Sequence, residues 1–236
     1  MATETVLGMP ASQGQSIAIL ICMVIGYLLG SINTGILITK AVQHRDIRTQ
    51  GSGNAGMTNV IRTVGKKAGV FTFVGDFLKC VVACLLALAI LHFAAGQAFA
   101  LYTPEARRLL YPVGAACFVG HLFPLYFKFK GGKGVVTASA MMLMTDWRVF
   151  LLILATFLVL ALWKRIISLG SVVCAVMYPV YALLLYGPVD GFADGWWRLV
   201  LYALLVGLLC LIKHRSNIKR LLSGEEKPLT SKKKEA

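Results

Sequence analysis

Apolar runs recur along the whole chain, at about residues 17–39, 70–95, 109–127, 134–145, 149–163, 166–187 and 197–212. A helix needs about 20 such residues to cross a hydrocarbon core. Only 14% of residues are charged, 58% are hydrophobic and the mean hydropathy is +0.74, whereas soluble domains carry roughly one-quarter charged residues. The expected fold is an all-α integral membrane protein, one bundle of about seven transmembrane helices. The fourth and fifth runs are short. If they form a re-entrant pair around Thr145-Asp146-Trp147-Arg148, five crossings remain and the parity of the later runs is unchanged.

The net charge of +14 acquires its meaning from where the cations fall. The segments after runs one, three, five and seven hold most of them, from Lys40 and Arg45 through Lys128 and Lys130, Lys164 and Arg165, to the lysines of the tail. The other face has Arg107, Arg108, Arg148 and Arg198. Basic residues mark the cytoplasmic side, which puts the N-terminus outside and the C-terminus inside. The charge is therefore topological, and a nucleic-acid partner is not expected. The six cysteines lie within apolar runs without a CxxC pair; they read as small buried hydrophobes, and neither a metal site nor a disulfide framework is expected.

Residues 1–15 lack the basic start of a cleavable signal and read as an extracytoplasmic leader. Residues 16–223 read as a single multi-pass membrane domain, and 224–236 as a disordered basic cytoplasmic tail. Its lysines either contact anionic lipid, at about 1 kcal/mol each, or form a solvated end.

Three polar segments interrupt the apolar pattern, all on the basic face. The first, GSGNAGMTNVIRTVGKKAG (51–69), carries glycines at 51, 53 and 56, the donors Ser52, Asn54, Thr58 and Asn59, the cations Arg62, Lys66 and Lys67, and no acid. Glycine lets a backbone approach a ligand closely, and successive N–H groups make an anion-binding concavity. No GxxxxGK[ST] occurs, so this is a phosphate-binding design without a Walker lysine. The second, GHLFPLYFKFKGGKGVVT (120–137), sets Gly131, Gly132 and Gly134 about Lys133 at a helix start, with His121 nearby. A basic cytoplasmic turn accounts for Lys128 and Lys130 but not for clustered glycines beside Lys133, where a helix N-terminus offers a second anion site. The third, HRSNIKRLLSGEE (214–226), places His214, Arg215 and Asn217 at the mouth of the bundle, with Ser168 at similar depth; Lys219 and Arg220 read as snorkelling cations. Asp76 and Lys79 stand three apart in the second run and share a helix face. Ionisable groups in a span are costly unless paired, so they read as a structural ion pair.

These three segments closely resemble the motifs of the bacterial acyl-phosphate:glycerol-3-phosphate acyltransferases, in order, over about Tyr27 to Glu226. The departures are Ala55, Met57 and Asn33-Thr34, where the family commonly has other residues. The resemblance implies transfer of a fatty acyl group from acyl phosphate to the C1 hydroxyl of glycerol 3-phosphate, giving 1-acyl-glycerol 3-phosphate and inorganic phosphate, the first acylation of phospholipid synthesis. It further implies that Ser52, Gly53, Asn54 and Thr58 hold the acyl phosphate and that Arg62, Lys133, Ser168, His214 and Asn217 hold glycerol 3-phosphate. Catalysis would be substrate-assisted, with His214 the candidate if a protein base acts. No cofactor or metal is expected. The setting would be a bacterial plasma membrane, with the site facing the cytoplasm, a monomer, membrane lipid around it, and functional links to an enzyme forming acyl phosphate and to a second acyltransferase consuming the product. The HxxxxD pattern of thioester-using acyltransferases is absent, since Thr49, Gln97, Tyr126 and Lys219 stand five residues after the histidines. The rival expectation is a transporter or flippase for a phosphorylated or lipid solute. Such proteins tend to bind near the midplane between repeated halves, a pattern this sequence does not carry.

Overall fold

The computed structural model describes residues 5–6, 9–95, 100–193, 195–226 and 228. Its helices are α1 (Ala11–Ser31), α2 (Thr34–Gln43), α3 (Met57–Thr63), α4 (Lys66–Ala95), α5 (Pro104–Leu122), α6 (Val135–Thr145), α7 (Trp147–Lys164), α8 (Ile167–Leu184), α9 (Trp196–Lys213) and α10 (Arg215–Leu222). Ahead of α1, Thr5–Val6 pairs antiparallel with Met9–Pro10. Most of the expected basic tail, and part of the expected leader, lie outside the described residues.

Among the described residues, six helical stretches are long and apolar enough to cross a membrane: Gly14–Gln43, Lys66–Phe93, Pro104–Phe127, Trp147–Lys164, Ile167–Val189 and Trp196–Lys213. In lipid the backbone must satisfy its own hydrogen bonds, which helices do internally. The fourth apolar run forms α6, whose 11 residues reach about 17 Å at 1.5 Å per residue, roughly half a hydrocarbon core. The fold class is thus an all-helical membrane bundle. Large apolar side chains face outward along it: Leu151, Leu158, Val159, Leu162 and Trp163 of α7 are exposed, and on that helix Val149 and Ile153 are buried.

The chain divides into two compact units, Met1–Trp147 and Arg148–Ala236. In the first, α1 packs on α4 and α5, and α6 packs on α4 and α5. Small residues let these backbones approach: a Cβ on Gly30 would overlap the Cys117 carbonyl, and one on Gly120 the Tyr27 carbonyl. α1 ends at Ser31, and Asn33 starts α2 by accepting the Ile36 N–H at 3.1 Å. Arg107 pairs with the fully buried Asp146 at 3.2 Å, at the turn after α6. In the second unit α8 packs on α9 and α10. The helix α7 reaches α8 through Thr156 and Tyr181, whose hydroxyls are 2.9 Å apart. Arg148 grips Asp190 with both terminal nitrogens at 2.8 Å.

Candidate active site

The loop between α2 and α3 is shaped by two side chains. Asp46 caps a short 3₁₀ turn, Ile47–Thr49, by accepting the Arg48 N–H at 2.9 Å, and its carboxylate also takes the Arg48 guanidinium. That guanidinium holds the Asp46 carboxyl below the usual carboxylate range. Arg48 Nη1 then donates to the carbonyls of Phe127 (2.8 Å) and Lys130 (3.1 Å). The first and second polar segments are thereby tied together within one unit.

Asn59 is the second organiser. It is 2% exposed. Its Oδ1 accepts the Ser52 N–H at 2.9 Å, while Nδ2 donates to the Gln50 and Asn54 carbonyls at 3.0 Å. Gly51 is left-handed, with φ of 55°, and a Cβ there would overlap Asn59 Oδ1, so glycine is what lets the loop close on this amide. The sequence reading placed Asn59 among the donors offered to a ligand. The structure corrects it: the amide is committed to the loop's own backbone. Ser52 and Gly53 are exposed, Asn54 and Thr58 are half-buried, and Arg62 is exposed on α3.

The second segment folds back on the end of α5. Lys128 and Phe129 both take left-handed conformations, with φ of 56° and 58°. The N–H groups of Gly131 and Gly132 donate to the carbonyls of Leu122 (3.3 Å) and His121 (3.2 Å), which α5 leaves without helical partners. Lys133 follows at once, and α6 begins after Gly134 without a side-chain cap. Asp76 and Lys79 of α4 lie 2.9 Å apart, both buried, and Lys79 also reaches His121 of α5 at 2.8 Å.

In the second unit, Ser168 lies in the first turn of α8 and Asn217 in α10. Both donate to one carboxylate oxygen, Glu226 Oε1, at 2.6 Å, while Arg220 Nε meets Oε2 at 2.5 Å. Burial raises the Glu226 pKa, and the bonds from Arg220, Ser168 and Asn217 outweigh it, so the group lies below its ordinary value. His214, 2% exposed, joins α9 to α10 and sits with Nδ1 2.8 Å from the Cys210 carbonyl. A carbonyl only accepts, so the proton is on Nδ1, and a neutral ring keeps its lone pair at Nε2.

Of the sequence-predicted residues, Ser52, Gly53, Asn54, Thr58, Arg62 and Lys133 therefore lie in the first unit, and Ser168, His214 and Asn217 in the second. Sequence reasoning missed Asp46, Arg48 and Glu226, and read Arg220 as a surface cation. The signals were faint: an acid and a base two residues apart beside a glycine loop, and an acid closing the third segment.

Residues 20–224 match the family described as glycerol-3-phosphate acyltransferase. The glycerol-3-phosphate acyltransferase of Syntrophotalea carbinolica is 41% identical over 209 residues, covering 87% of this chain and 95% of that protein. The one from Clostridioides difficile is 39% identical over 215 residues, covering 91% and 97%. The crystal structure of the integral membrane glycerol 3-phosphate acyltransferase PlsY (YgiH), in its glycerol 3-phosphate form, is similar with a TM-score of 0.73 and 36% identity, covering 89% of this chain and 94% of that one. Its lysophosphatidic acid form gives a TM-score of 0.71 at 35% identity, with the same coverage.

Proposed function

Because the chain belongs to the glycerol-3-phosphate acyltransferase family, we propose that the acyl group it transfers to glycerol 3-phosphate comes from an acyl phosphate. The glycerol C1 oxygen attacks the acyl carbonyl carbon, the bond to the phosphate oxygen breaks, and the hydroxyl proton leaves with inorganic phosphate. The products are 1-acyl-glycerol 3-phosphate and phosphate. An acyl phosphate is already activated, so the protein's share is orientation and charge stabilisation.

Ser52, Gly53, Asn54 and Thr58 receive the donor phosphate on the glycine loop that Asn59 and Arg48 hold in shape. Arg62, Lys133, Ser168, His214 and Asn217 take glycerol 3-phosphate. The observation that carries this reading is the pair of short bonds from Ser168 and Asn217 to the Glu226 carboxylate: two residues assigned to a phosphate already act as oxyanion donors. His214 serves as a binding residue, the donor phosphate itself taking the proton, and no cofactor takes part. The basic faces point to the cytoplasm of a bacterial plasma membrane, with the N-terminus outside and the C-terminus inside. The protein acts as a monomer, downstream of an enzyme that forms acyl phosphate and upstream of a second acyltransferase.

The test is acylation of glycerol 3-phosphate by purified protein in lipid, with acyl phosphate, acyl-CoA and acyl carrier protein offered separately. Turnover with acyl phosphate alone is expected. Turnover with a thioester would overturn the donor assignment, and solute flux across proteoliposomes without turnover would restore the transporter.

A further inference from the structure

Asp76, Lys79 and His121 form a buried polar cluster inside the first unit, apart from the residues assigned to substrate. Lys79 Nζ lies 2.9 Å from Asp76 Oδ1, 2.9 Å from the Ile32 carbonyl and 2.8 Å from His121 Nδ1. An ammonium has three N–H donors and no acceptor, so these contacts use all of them. With Lys79 as the donor, His121 Nδ1 accepts, and a neutral imidazole accepting there carries its proton on Nε2; the same Nδ1 lies 3.5 Å from Asp76 Oδ1.

That Nε2 edge faces the second motif. A Cβ on Gly132 would overlap His121 Nε2, and one on Gly131 would overlap the His121 carbonyl. The two glycines therefore lie flat against the histidine, fixed by the Gly132 N–H to the His121 carbonyl at 3.2 Å. Beyond Lys133, the Thr137 hydroxyl donates to the Asp76 carbonyl at 3.3 Å. The backbone on both sides of Lys133 is thus referred to the same cluster, shared by α4 and α5.

A buried ion pair adds little net stability over well-packed apolar residues, and ionisable groups within a span mark function by default. We propose that Asp76, Lys79 and His121 are positioning residues for the glycerol 3-phosphate reaction. Asp76 anchors Lys79, Lys79 fixes the tautomer and ring plane of His121, and the ring is the platform that presents Lys133 to the substrate phosphate. This rests on the assignment of Lys133 to glycerol 3-phosphate.

The experiment is steady-state kinetics of His121→Leu, His121→Asn and Lys133→Ala in lipid, with each substrate varied in turn. His121→Leu is expected to raise KM for glycerol 3-phosphate about tenfold or more, the equivalent of about 1.4 kcal/mol, and to leave KM for acyl phosphate within about twofold. His121→Asn, which keeps an acceptor near the Nδ1 position, recovers part of the loss. A merely structural role lowers the active fraction, hence apparent kcat, and leaves both KM values unchanged. That result, or an equal rise in both KM values, overturns the positioning role when Lys133→Ala does raise KM for glycerol 3-phosphate. If Lys133→Ala leaves that KM unchanged, the assignment of Lys133 falls, and the positioning role with it. Should His121→Leu not fold, Asp76→Asn/Lys79→Gln removes both buried charges together, and the same split in KM is expected of it.

Discussion

Arg48 donates from Nη1 to the carbonyl of Phe127, 79 residues further along the chain, at 2.8 Å. The same nitrogen reaches the Lys130 carbonyl, and Asp46 braces the rest of the guanidinium. A planar fork is suited to gripping one carboxylate and the carbonyls of a second segment at once. Replacement of Arg48 by Ala is expected to lower kcat/KM about tenfold, with a stability loss of about 1 kcal/mol for hydrogen bonds at a partly exposed site. Arg48→Lys recovers little, because a single ammonium cannot reproduce the fork. Kinetics and thermal unfolding of the two variants check this.

Asn59 separates scaffold from ligand contact. Its Nδ2 faces the Gln50 and Asn54 carbonyls and its Oδ1 faces the Ser52 N–H. Asn59→Asp keeps the acceptor but turns a second oxygen on two carbonyls, so it is expected to destabilise at least as much as Asn59→Ala. A loss of about 2–3 kcal/mol follows from stranding buried partners. Comparable unfolding temperatures for wild type and Asn59→Asp would show that the amide does not hold the loop.

Arg62 is exposed on α3, so truncating it is expected to change stability by no more than about 0.5 kcal/mol. On the proposed assignment of Arg62 and Lys133 to glycerol 3-phosphate, loss of either cation should cost activity about a hundredfold or more. Full turnover by Arg62→Ala or Lys133→Ala would remove that residue from the site.

Glu226 gives the fold an acid-sensitive latch. Its carboxyl lies below its ordinary value in the folded protein, against about 4.3 when unfolded. The folded state therefore binds the proton less readily. The stabilisation is complete above the unfolded value and is lost as pH falls below it. At neutral pH Glu226→Gln is expected to cost about 2 kcal/mol, since the bonds are made to a charged acceptor. The gap between variant and wild type should begin to close as pH falls through the unfolded carboxyl's range, about 4.3, and go on closing below it. Thermal unfolding of both proteins across that range reads it directly, and a gap that stays constant would assign the latch to shape and not charge.

The run of apolar segments was enough to determine a helical membrane bundle, because a chain in hydrocarbon has few ways to satisfy its backbone. The three polar segments likewise stood out by composition: glycines, hydroxyls and cations, with no acid in the first two and a Glu pair closing the third. Asp76 and Lys79 could be paired from helix periodicity alone. What packing decided was which polar atoms serve the scaffold. Asn59 looks like a ligand donor in sequence, and its amide is taken by its own loop. Arg220 looks like a solvated cation, and it closes on Glu226 beside Ser168 and Asn217. Lys79 reaches His121 across 42 residues, a separation to which no local pattern is sensitive. A side chain's type limits what it can bond, but its partner is set by whichever backbone the tertiary fold brings within 3 Å or so, where hydrogen bonds form.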